Sequence, residues 1–348
     1  MHTINPRTIF VTGGCGFIGS HSTRMMLQRG YRVVNIDVLT YAGRNHPEDR
    51  ARGAYRFVEA DIGDETTVAR LLSKERPAAV VHFAAESHVD RSITGPEIFL
   101  ETNVGGTFRL LARCRTYHAG LTPESAERFR FLHISTDEVF GHLGPQDPPF
   151  REDTPIAPRS PYSASKAAAE HFVMAAFHTF GLPAMILRGS NNYGPRQLSE
   201  KLIPLMIEKA YRREPLPVYG TGGNVRDWLF VEDFCEAAAR VLDAGRPGRG
   251  YNAGGGNERT NLDMVRMICA LIDERTNDDG PPRASLIEFV TDRPGHDFRY
   301  AIDFSRLQTE LGWSPRVNLE AGLRETVLWY TGRLAGRTNQ GGANYVHV

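Results

Sequence analysis

Short apolar segments alternate with longer amphipathic ones through the first half of the chain. The apolar segments are rich in β-branched and aromatic residues, and they read TIFVTG, RVVNID, YRFVEAD, AAVVHFAA and RFLHIST. The periodicity between them predicts helices, for example over 17–30, 64–75 and 97–117. Such alternation is typical of βαβ units, in which helices cover both faces of a parallel sheet. We therefore expect an α/β fold built on a doubly wound parallel sheet.

This rhythm loosens after about residue 190, where Gly and Pro become frequent. Segments such as NNYGPRQ, REPLPVYGTGG and NAGGGNE are typical of loops. We predict a sheet domain over 1–190 with a later return segment around 227–255. A smaller lobe should occupy most of 191–335, and 336–348 should form a C-terminal tail.

Composition argues against several classes of protein, but it indicates no particular reaction. The 348 residues are 41% apolar and 24% charged, and the 41 Lys and Arg residues balance the 41 Asp and Glu residues. This balance gives no support to a nucleic-acid partner. The four cysteines form no CxxC pair, so neither a zinc site nor a disulfide is indicated, and we predict no metal. The start MHTINPRTIFVTGG has no signal-peptide core, and no apolar run approaches the roughly 20 residues that span a bilayer. We expect a cytoplasmic protein.

A glycine turn follows the first predicted strand. In VTGGCGFIGSH, Gly13, Gly16 and Gly19 would let the backbone approach a pyrophosphate at a helix N-terminus. A plain tight turn is the alternative, since the spacing is GxxGxxG. Asp37 ends the second strand eighteen residues after Gly19, where a carboxylate accepts a ribose 2′-hydroxyl and repels a 2′-phosphate. NAD is therefore favoured over NADP. Asp61 could meet the adenine amine, or it could equally be a helix N-cap or turn residue.

Two further motifs carry candidate chemistry. SPYSASKAAAEHF places Tyr162 and Lys166 four residues apart, on one face of a predicted helix. A lysine near a phenol lowers the phenol pKa and makes it a base, although this spacing also arises by chance. HISTDEVFG places Thr136, Asp137 and Glu138 at the end of a predicted buried strand. Adjacent carboxylates there could be an acid and a base in opposite protonation states, or a solvated acidic turn.

Taken together, these motifs resemble the extended short-chain dehydrogenase/reductase superfamily along essentially the whole chain. The Thr-Asp-Glu triplet is similar to that of the dTDP-glucose 4,6-dehydratases. Further stretches agree with that family in order: AAESHVDRSI, SNNYGP, EKLIPLMI, PVYGTGGNVRDWLFVED, NERTNL and DRPGHDFRYAID. Phe140 stands where the family often has Tyr, and the residues around SNNYGP differ from the usual ones. The difference around SNNYGP leaves open which sugar and base are bound, and it does not affect the expected type of reaction.

The resemblance implies an NAD-binding Rossmann-type domain, a substrate-binding lobe and a reaction. dTDP-glucose would be oxidised at C4, lose water across C5 and C6, and receive its hydride back at C6. Tyr162, tuned by Lys166 and aided by Thr136, would be the C4 base. Glu138 would take the C5 proton, and Asp137 would protonate the leaving C6 hydroxyl. The alternatives are a dehydratase or epimerase for a UDP- or CDP-hexose, and a non-catalytic relative that binds NAD.

The same resemblance implies the residues that contact each ligand. Those expected at NAD are Gly13, Gly16, Phe17, Ile18, Gly19, Asp37, Leu39, Thr40, Asp61, Ile62, Ala84, Ala85, Ser87, Thr102, Tyr162, Lys166 and Asn192. Those expected at the nucleotide sugar are His88, Thr136, Asp137, Glu138, Asn191, Lys201, Leu202, Pro217, Val218, Tyr219, Arg226, Asn261, Arg293 and His296. The segment 166–180 is apolar on more than one face, which suggests a partner helix. In this family it implies a homodimer joined by a four-helix bundle.

Overall fold

A computed structural model describes residues 7–44, 53–292 and 295–338. Its centre is a parallel sheet of seven strands in the order β10-β6-β5-β4-β1-β2-β3. These strands are β1 (Thr8–Thr12), β2 (Arg32–Asp37), β3 (Tyr55–Glu59), β4 (Ala79–His82), β5 (Arg130–Thr136), β6 (Ala184–Gly189) and β10 (Gly250–Ala253). The predicted α/β fold with a doubly wound parallel sheet is confirmed.

Helices cover both faces of this sheet, as the apolar character of both strand faces predicts. The helices of this part are α1 (Phe17–Gln28), α2 (Glu65–Glu75), α3 (Val89–Thr94), α4 (Glu97–Phe99), α5 (Thr107–Ala119), α6 (Pro123–Arg128), α7 (Pro161–Phe180) and α9 (Val231–Ala244). Side chains alternate between two cores along each strand. In β1, for example, Ile9 and Val11 enter one core and Phe10 enters the other.

The predicted helix over 97–117 is present but is not a continuous α-helix. A π-helical segment, Leu100–Gly106, separates α4 from α5. Hydrophobic periodicity cannot reveal such a widened turn, because it changes the backbone pattern over only a few residues. The segment contains the fully buried Asn103, whose contacts are described with the site.

Most of the remaining elements form a second, smaller core. They are β7 (Asn191–Tyr193), α8 (Leu202–Tyr211), β8 (Leu216–Tyr219), β9 (Val225–Phe230), β11 (Glu258–Thr260), α10 (Asn261–Thr276), β12 (Ile287–Val290) and α12 (Leu319–Thr338), with a short 3₁₀ turn at Arg283–Leu286. Helix α11 (Ser305–Leu311) packs instead against the core of the large sheet, and a 3₁₀ turn at Asp137–Phe140 follows β5. Strands β11, β9 and β7 pair in that order, and β12 pairs with β8. Side chains from α8, α10 and α12 pack with Leu216 and Val218 of β8 and Trp228 of β9.

The chain returns to the large sheet after entering this lobe. Strand β10 pairs with β6 in parallel, and α9 packs against α1 and the same face of the sheet. The predicted return segment around 227–255 includes α9 and β10. The domain boundaries at 190 and 335 stay a prediction.

Candidate active site

The order of the strands fixes where a ligand can approach the sheet. Successive strands wind outward in opposite directions from β1 and β4, which are neighbours in the sheet. In such sheets the carboxyl ends of the strands at this reversal open into a crevice. The glycine turn follows β1, and the catalytic motif follows β5, two strands away. Both predicted motifs therefore lie at the same edge of the sheet.

The glycine turn leaves no room for side chains. Gly13 has φ +70°, and a Cβ atom there would lie 2.5 Å from the backbone nitrogen of Ala84. A Cβ on Gly19 would lie 2.1 Å from the carbonyl oxygen of Gly13. Gly16 precedes α1 and supplies no side-chain cap, so the first amides of the helix face outward without an internal acceptor. These features fit a pyrophosphate held by backbone amides, which is how NAD is bound in folds of this kind.

Two polar side chains of β2 accept hydrogen bonds from backbone amides in and near this turn. Asn35 Oδ1 accepts from the Gly14 amide at 3.0 Å. Asp37 accepts from the Cys15 amide through Oδ2 and from the Leu39 amide through Oδ1, both at 2.9 Å. Burial raises the pKa of Asp37, and the two amide bonds partly oppose that rise. Each carboxylate oxygen keeps a second lone pair, so Asp37 can still accept a ribose hydroxyl.

The other residues predicted to contact NAD surround the same crevice. Asp61 Oδ1 accepts from the Gly63 amide at 2.6 Å, so Asp61 does act as a turn residue, while the cap of α2 is Asp64. This bond uses one carboxylate oxygen. Most of the remaining predicted residues follow the strand ends or lie on the first turns beyond them: Phe17, Ile18, Leu39, Thr40, Ile62, Ala84, Ala85 and Ser87. Thr102 lies in the π-helical segment, and Asn192 lies in β7. Their contacts with NAD stay a prediction.

Asn103 is a site residue that sequence reasoning missed. Its Oδ1 accepts from the Glu86 amide at 2.8 Å, and its Nδ2 donates to the Glu86 carbonyl oxygen at 2.9 Å and to Ser165 Oγ at 2.8 Å. Asn103 thereby ties the loop after β4 to the helix that carries Tyr162 and Lys166. The only sequence signal was an amide side chain within an otherwise small and apolar stretch, TNVGG.

The catalytic helix α7 begins at a well-defined cap. Ser160 and Ser163 form a capping box, and Pro161 occupies the first helical position. Lys166 lies one turn beyond Tyr162, and its ammonium group donates to the Ile134 carbonyl oxygen at 2.7 Å. Burial lowers the pKa of Lys166 to about 8, although the Glu170 carboxylate opposes the shift. The helix that carries Tyr162 and Lys166 is therefore joined to the last residues of β5 by this hydrogen bond.

One electrostatic expectation is not met. We predicted that Lys166 lowers the pKa of Tyr162, but the pKa of this phenol is raised in the structure. Burial is the largest cause, followed by the Glu138 and Asp137 carboxylates, whereas a hydrogen bond with Thr136 lowers it. The protein groups around Tyr162 thus favour the neutral phenol. Desolvation dominates because a buried phenolate loses its water, and Lys166 is not among the groups that shift this pKa.

The two carboxylates of the predicted acid–base pair lie in different surroundings. Asp137 is 1% exposed, whereas Glu138 is half-buried. Burial first, and then the Glu138 and Asp227 carboxylates, raise the pKa of Asp137 well above its usual range. Asp137 Oδ2 has no hydrogen-bond partner among the described residues, and Oδ1 accepts from Thr136 Oγ1 at 3.4 Å. These surroundings favour the neutral carboxylic acid form of Asp137.

Arg226 and Lys201, which were predicted to contact the nucleotide sugar, donate hydrogen bonds to backbone carbonyl oxygens. Arg226 is 5% exposed, and its guanidinium group donates to the carbonyl oxygens of Val225, Asp297 and Phe298 and lies over the Tyr300 ring. Lys201 donates to the Ser87 carbonyl oxygen at 3.1 Å. Contact of either side chain with the nucleotide sugar stays a prediction.

The other predicted substrate residues lie on the lobe and on the loop after β4. His88 Nδ1 accepts from the Arg91 amide at 3.2 Å and caps α3. His296 Nδ1 lies 2.7 Å from Asp292 Oδ1, and its ring meets Tyr219 edge to face. The rest occupy β7, β8 and the starts of α8 and α10: Asn191, Leu202, Pro217, Val218 and Asn261. Arg293 lies outside the described residues.

Tyr300 and Asp297 also belong to this region, although neither was predicted. The Tyr300 hydroxyl donates to Asp297 Oδ2, and Glu138 is among the groups that raise the pKa of Tyr300, after burial. Tyr300 also packs in a small cluster with Val139 and Phe140, which directly follow Glu138. The motif DRPGHDFRYAID was noticed, but the sequence could not show that its second half reaches the carboxylate pair.

Within 7–44, 53–292 and 295–338, no three His, Cys, Asp or Glu side chains converge in an arrangement suited to a metal ion. No helix in the described part of the chain has the length and apolar character needed to cross a bilayer.

The fold and the site together define a class. A glycine turn at the reversal point of a parallel sheet, with a Tyr-x-x-x-Lys helix against a strand that ends in hydroxyl residues, is the arrangement of the extended short-chain dehydrogenase/reductases. Sequence comparison agrees, since the family model described as GDP-mannose 4,6 dehydratase matches residues 10–326.

Individual relatives narrow the class further. The dTDP-glucose 4,6-dehydratase of Xanthomonas campestris pv. campestris (strain B100) is 55% identical over 326 residues, covering 93% of each chain. A Bacillus anthracis dTDP-glucose 4,6-dehydratase solved in complex with NAD superposes with a TM-score of 0.83 at 41% identity, over 94% of this chain and 98% of that one. A Thermus thermophilus UDP-glucose 4-epimerase in complex with NAD has a TM-score of 0.82 at 30% identity, over 93% and 99%. This chain belongs to the dTDP-glucose 4,6-dehydratase family.

Proposed function

We propose that the protein is an NAD-dependent dTDP-glucose 4,6-dehydratase, a hydro-lyase that releases dTDP-4-keto-6-deoxyglucose and water. The relatives at about half identity carry this name, and the solved neighbours contain NAD. One observation carries the proposal beyond similarity. A buried Asp137 with a strongly raised pKa stands next to a half-buried Glu138, so the site holds an acid and a base side by side.

The first step is oxidation at C4, because the C5 proton becomes acidic only next to a ketone. Tyr162 accepts the proton of the C4 hydroxyl, and the Thr136 hydroxyl supports the phenolate through a hydrogen bond. When bound at the glycine turn, NAD⁺ would supply the acceptor for the C4 hydride and the source of the hydride at C6, and its positive charge would favour the Tyr162 phenolate. Lys166, fixed on the Ile134 carbonyl oxygen, holds positive charge on the same helix one turn away.

Elimination then uses the two carboxylates in different roles. Glu138, which is half-buried, is the base that removes the C5 proton. Asp137, neutral because it is buried beside other carboxylates, donates its proton to the departing C6 hydroxyl. After the hydride reaches C6, Glu138 returns a proton to C5. Close like charges push the pKa values of such a pair apart, as this division of labour needs.

Conservative variants of the pair test this assignment. Glu138→Gln should still oxidise C4 but hardly exchange the C5 proton with deuterated water. Asp137→Asn should oxidise C4 and exchange at C5, yet lose water about 10²–10⁴-fold more slowly, because an amide cannot deliver the proton. Its single-turnover record would show NADH absorbance that rises and persists. Product release by Asp137→Asn at the parent rate would refute the role of Asp137.

The nucleotide specificity needs its own experiment. Thymine and uracil differ by one methyl group, worth about 1 kcal/mol in a pocket. Incubation with dTDP-, UDP-, CDP- and GDP-hexoses, scored for 4-keto-6-deoxy product, should show a preference for dTDP-glucose. A stronger reaction with a UDP- or CDP-hexose would correct the substrate while keeping the reaction.

The assembly that we propose is a homodimer through α5 and α7. Three phenylalanines lie exposed on this face: Phe108 on α5 is 51% exposed, and Phe172 and Phe180 on α7 are 41% and 53% exposed. Phe108 and Phe172 meet edge to face with ring centres 5.4 Å apart. Two such helix pairs would form a four-helix bundle. Sedimentation of the parent and of Phe108→Ser should show a dimer and a shift toward monomer. A monomeric parent would refute the proposal.

A cytoplasmic location completes the proposal. All four cysteines are buried and none forms a disulfide, which suits a reducing compartment.

A further inference from the structure

Three segments of the chain meet through side chains to which the proposed reaction assigns no role. Tyr41 lies in the loop after β2, Arg91 lies on α3 beyond β4, and Glu200 precedes α8 of the smaller lobe. The central carbon of the Arg91 guanidinium group lies 3.6 Å from the centre of the Tyr41 ring. Glu200 accepts from the Tyr41 hydroxyl at 3.4 Å and pairs with Arg91 at 3.7 Å. We call these three residues the clasp.

The order of the strands shows what the clasp crosses. Strand β1 lies between β2 and β4, and all three are parallel, so their carboxyl ends share one edge of the sheet. Neighbouring strands lie about 5 Å apart, so Tyr41 and Arg91 meet across about 10 Å, over the end of β1. The loop of Tyr41 is also joined to the glycine turn after β1, because the Arg44 amide donates to the Cys15 carbonyl oxygen at 2.8 Å. A ligand on the glycine turn therefore lies between the sheet edge and the clasp.

Further contacts beside the clasp join the loop after β4 to the lobe. The His88 ring nitrogen Nε2 lies 3.8 Å from Glu200 Oε1. Lys201, the next residue after Glu200, donates to the Ser87 carbonyl oxygen at 3.1 Å. The lobe thus holds Glu200 in place from its own side, and the clasp is the point at which the lobe also reaches the loop after β2.

The clasp is closed by weak contacts between protein groups. Each contact joins one side chain of the protein to another, so these contacts can close the clasp whether or not a ligand lies beneath it. Tyr41 is 44% exposed, and the Arg91 side chain is 52% exposed. Cation–π contacts and ion pairs at such exposed positions are individually weak. A cover of this kind can open and close, as loops over active sites do.

We propose that the clasp of Tyr41, Arg91 and Glu200 is a gate through which NAD passes both when it enters and when it leaves the glycine turn. The proposed function gives this gate a use. The cofactor reduced at the C4 step is needed again at the C6 step of the same turnover, so its escape between the two steps would leave an unfinished sugar behind. The gate itself requires only that NAD binds at the glycine turn, and it does not depend on which sugar reacts.

Stopped-flow measurement of binding and release tests the gate, with NADH as the fluorescent probe. Tyr41→Leu removes the ring and the hydroxyl, and Arg91→Gln removes the cation. Each should raise the association and release rate constants by the same factor, about threefold to tenfold, as expected for the loss of a cation–π contact and an exposed ion pair. The Kd should therefore stay unchanged. Tyr41→Phe keeps the ring against Arg91 and should have a smaller effect. Arg333→Gln, which removes a guanidinium group from the Trp329 ring on α12, is the matched control and should change neither rate.

A double variant separates a gate from two independent losses of contact. Because Tyr41 and Arg91 act through each other, Tyr41→Leu combined with Arg91→Gln should raise both rates little more than either change alone. Parent-like rates in both single variants would overturn the gate. A faster release with an unchanged association rate would also overturn it, since that result would mean that these side chains hold the cofactor directly. A parent that shows the gated kinetics but makes no 4-keto-6-deoxy product would refute the proposed function and support the gate.

Discussion

The crevice has a cofactor end, at the glycine turn, and a catalytic end, at Asp137 and Glu138. The two ends differ in how their buried polar groups are hydrogen-bonded. At the glycine turn, the side-chain oxygens of Asn35 and Asp37 accept hydrogen bonds from backbone amides. These bonds hold the turn in its shape. At the catalytic end, several buried atoms have no partner among the described residues. They are Ser135 Oγ, Asp137 Oδ2 and Asn191 Oδ1. Asn192 Oδ1, which is expected at NAD, and Ser22 Oγ and Thr23 Oγ1 on α1 also have no partner among the described residues.

This difference matches what each end must do. A cofactor that is oxidised again in every turnover can remain bound, and a rigid preformed cradle suits it. A substrate that changes its hydrogen bonds at each step needs groups that are held in place but not yet satisfied. Leaving a buried polar atom unpaired destabilises the fold by about 1–3 kcal/mol. We infer that the unpaired Asp137 carboxyl trades stability for reactivity, whereas Asp37 is paired with two backbone amides.

The largest effect should come from adding one methyl group to the cofactor end. In Gly19→Ala the new Cβ would lie 2.1 Å from the Gly13 carbonyl oxygen, which is backbone and cannot move aside. The turn must open, so NAD affinity should fall by at least about 3 kcal/mol, or more than 100-fold. Calorimetric titration of NAD into cofactor-free protein measures this loss.

Gly332→Ala is the matched control for that substitution. Gly332 lies within α12, and the added methyl group would meet no other atom within 4 Å. NAD affinity should be unchanged, and stability should rise by about 0.5–1 kcal/mol, as for a helical glycine. Unchanged affinity in Gly19→Ala as well would show that the turn does not hold the pyrophosphate.

A smaller loss at the same end should follow from Asp37→Ala. The variant removes the acceptor for two amides and for the ribose hydroxyl, so NAD affinity should fall by about 1.5–3 kcal/mol. NADP should be affected differently, because the repulsion of its 2′-phosphate is removed along with the hydrogen bond. Titration with both cofactors is decisive. An equal loss for NAD and NADP would mean that Asp37 only orders the turn.

The sequence predicted what depends on neighbours along the chain. The strands from Thr8 to Thr136, the glycine turn and the helix carrying Tyr162 and Lys166 all follow from local pattern. It did not predict contacts that join distant segments. Asn103 and Ser165 are 62 residues apart, and Tyr300 reaches the carboxylate pair from a different lobe. The direction of the Tyr162 pKa shift was also missed, since burial depends on the packing of the whole domain.

The smallest expected effect lies at the catalytic end, where the substitution Asp137→Asn should make the fold more stable. Asp137 is buried, and its pKa is raised, so the folded protein binds this proton more tightly than the unfolded chain does. The parent therefore loses stability as the pH rises above the usual Asp range, up to the raised pKa. Asp137→Asn carries no charge and escapes that loss. It should exceed the parent on the order of 1 kcal/mol at pH 8, where one pKa unit corresponds to about 1.4 kcal/mol.

Urea unfolding at pH 5 and pH 8 measures the effect, and the gap between variant and parent should be smaller at pH 5. Asp233→Asn is the matched control, since Asp233 is also buried but its Oδ2 accepts from the Arg316 and Val317 amides at 3.0 and 2.9 Å. Neutralising it weakens two charge-assisted bonds, so that variant should lose stability at both pH values. If Asp137→Asn also lost stability at pH 8, the unpaired carboxyl would not be a strained group. The contrast between the two ends of the crevice would then not extend to stability.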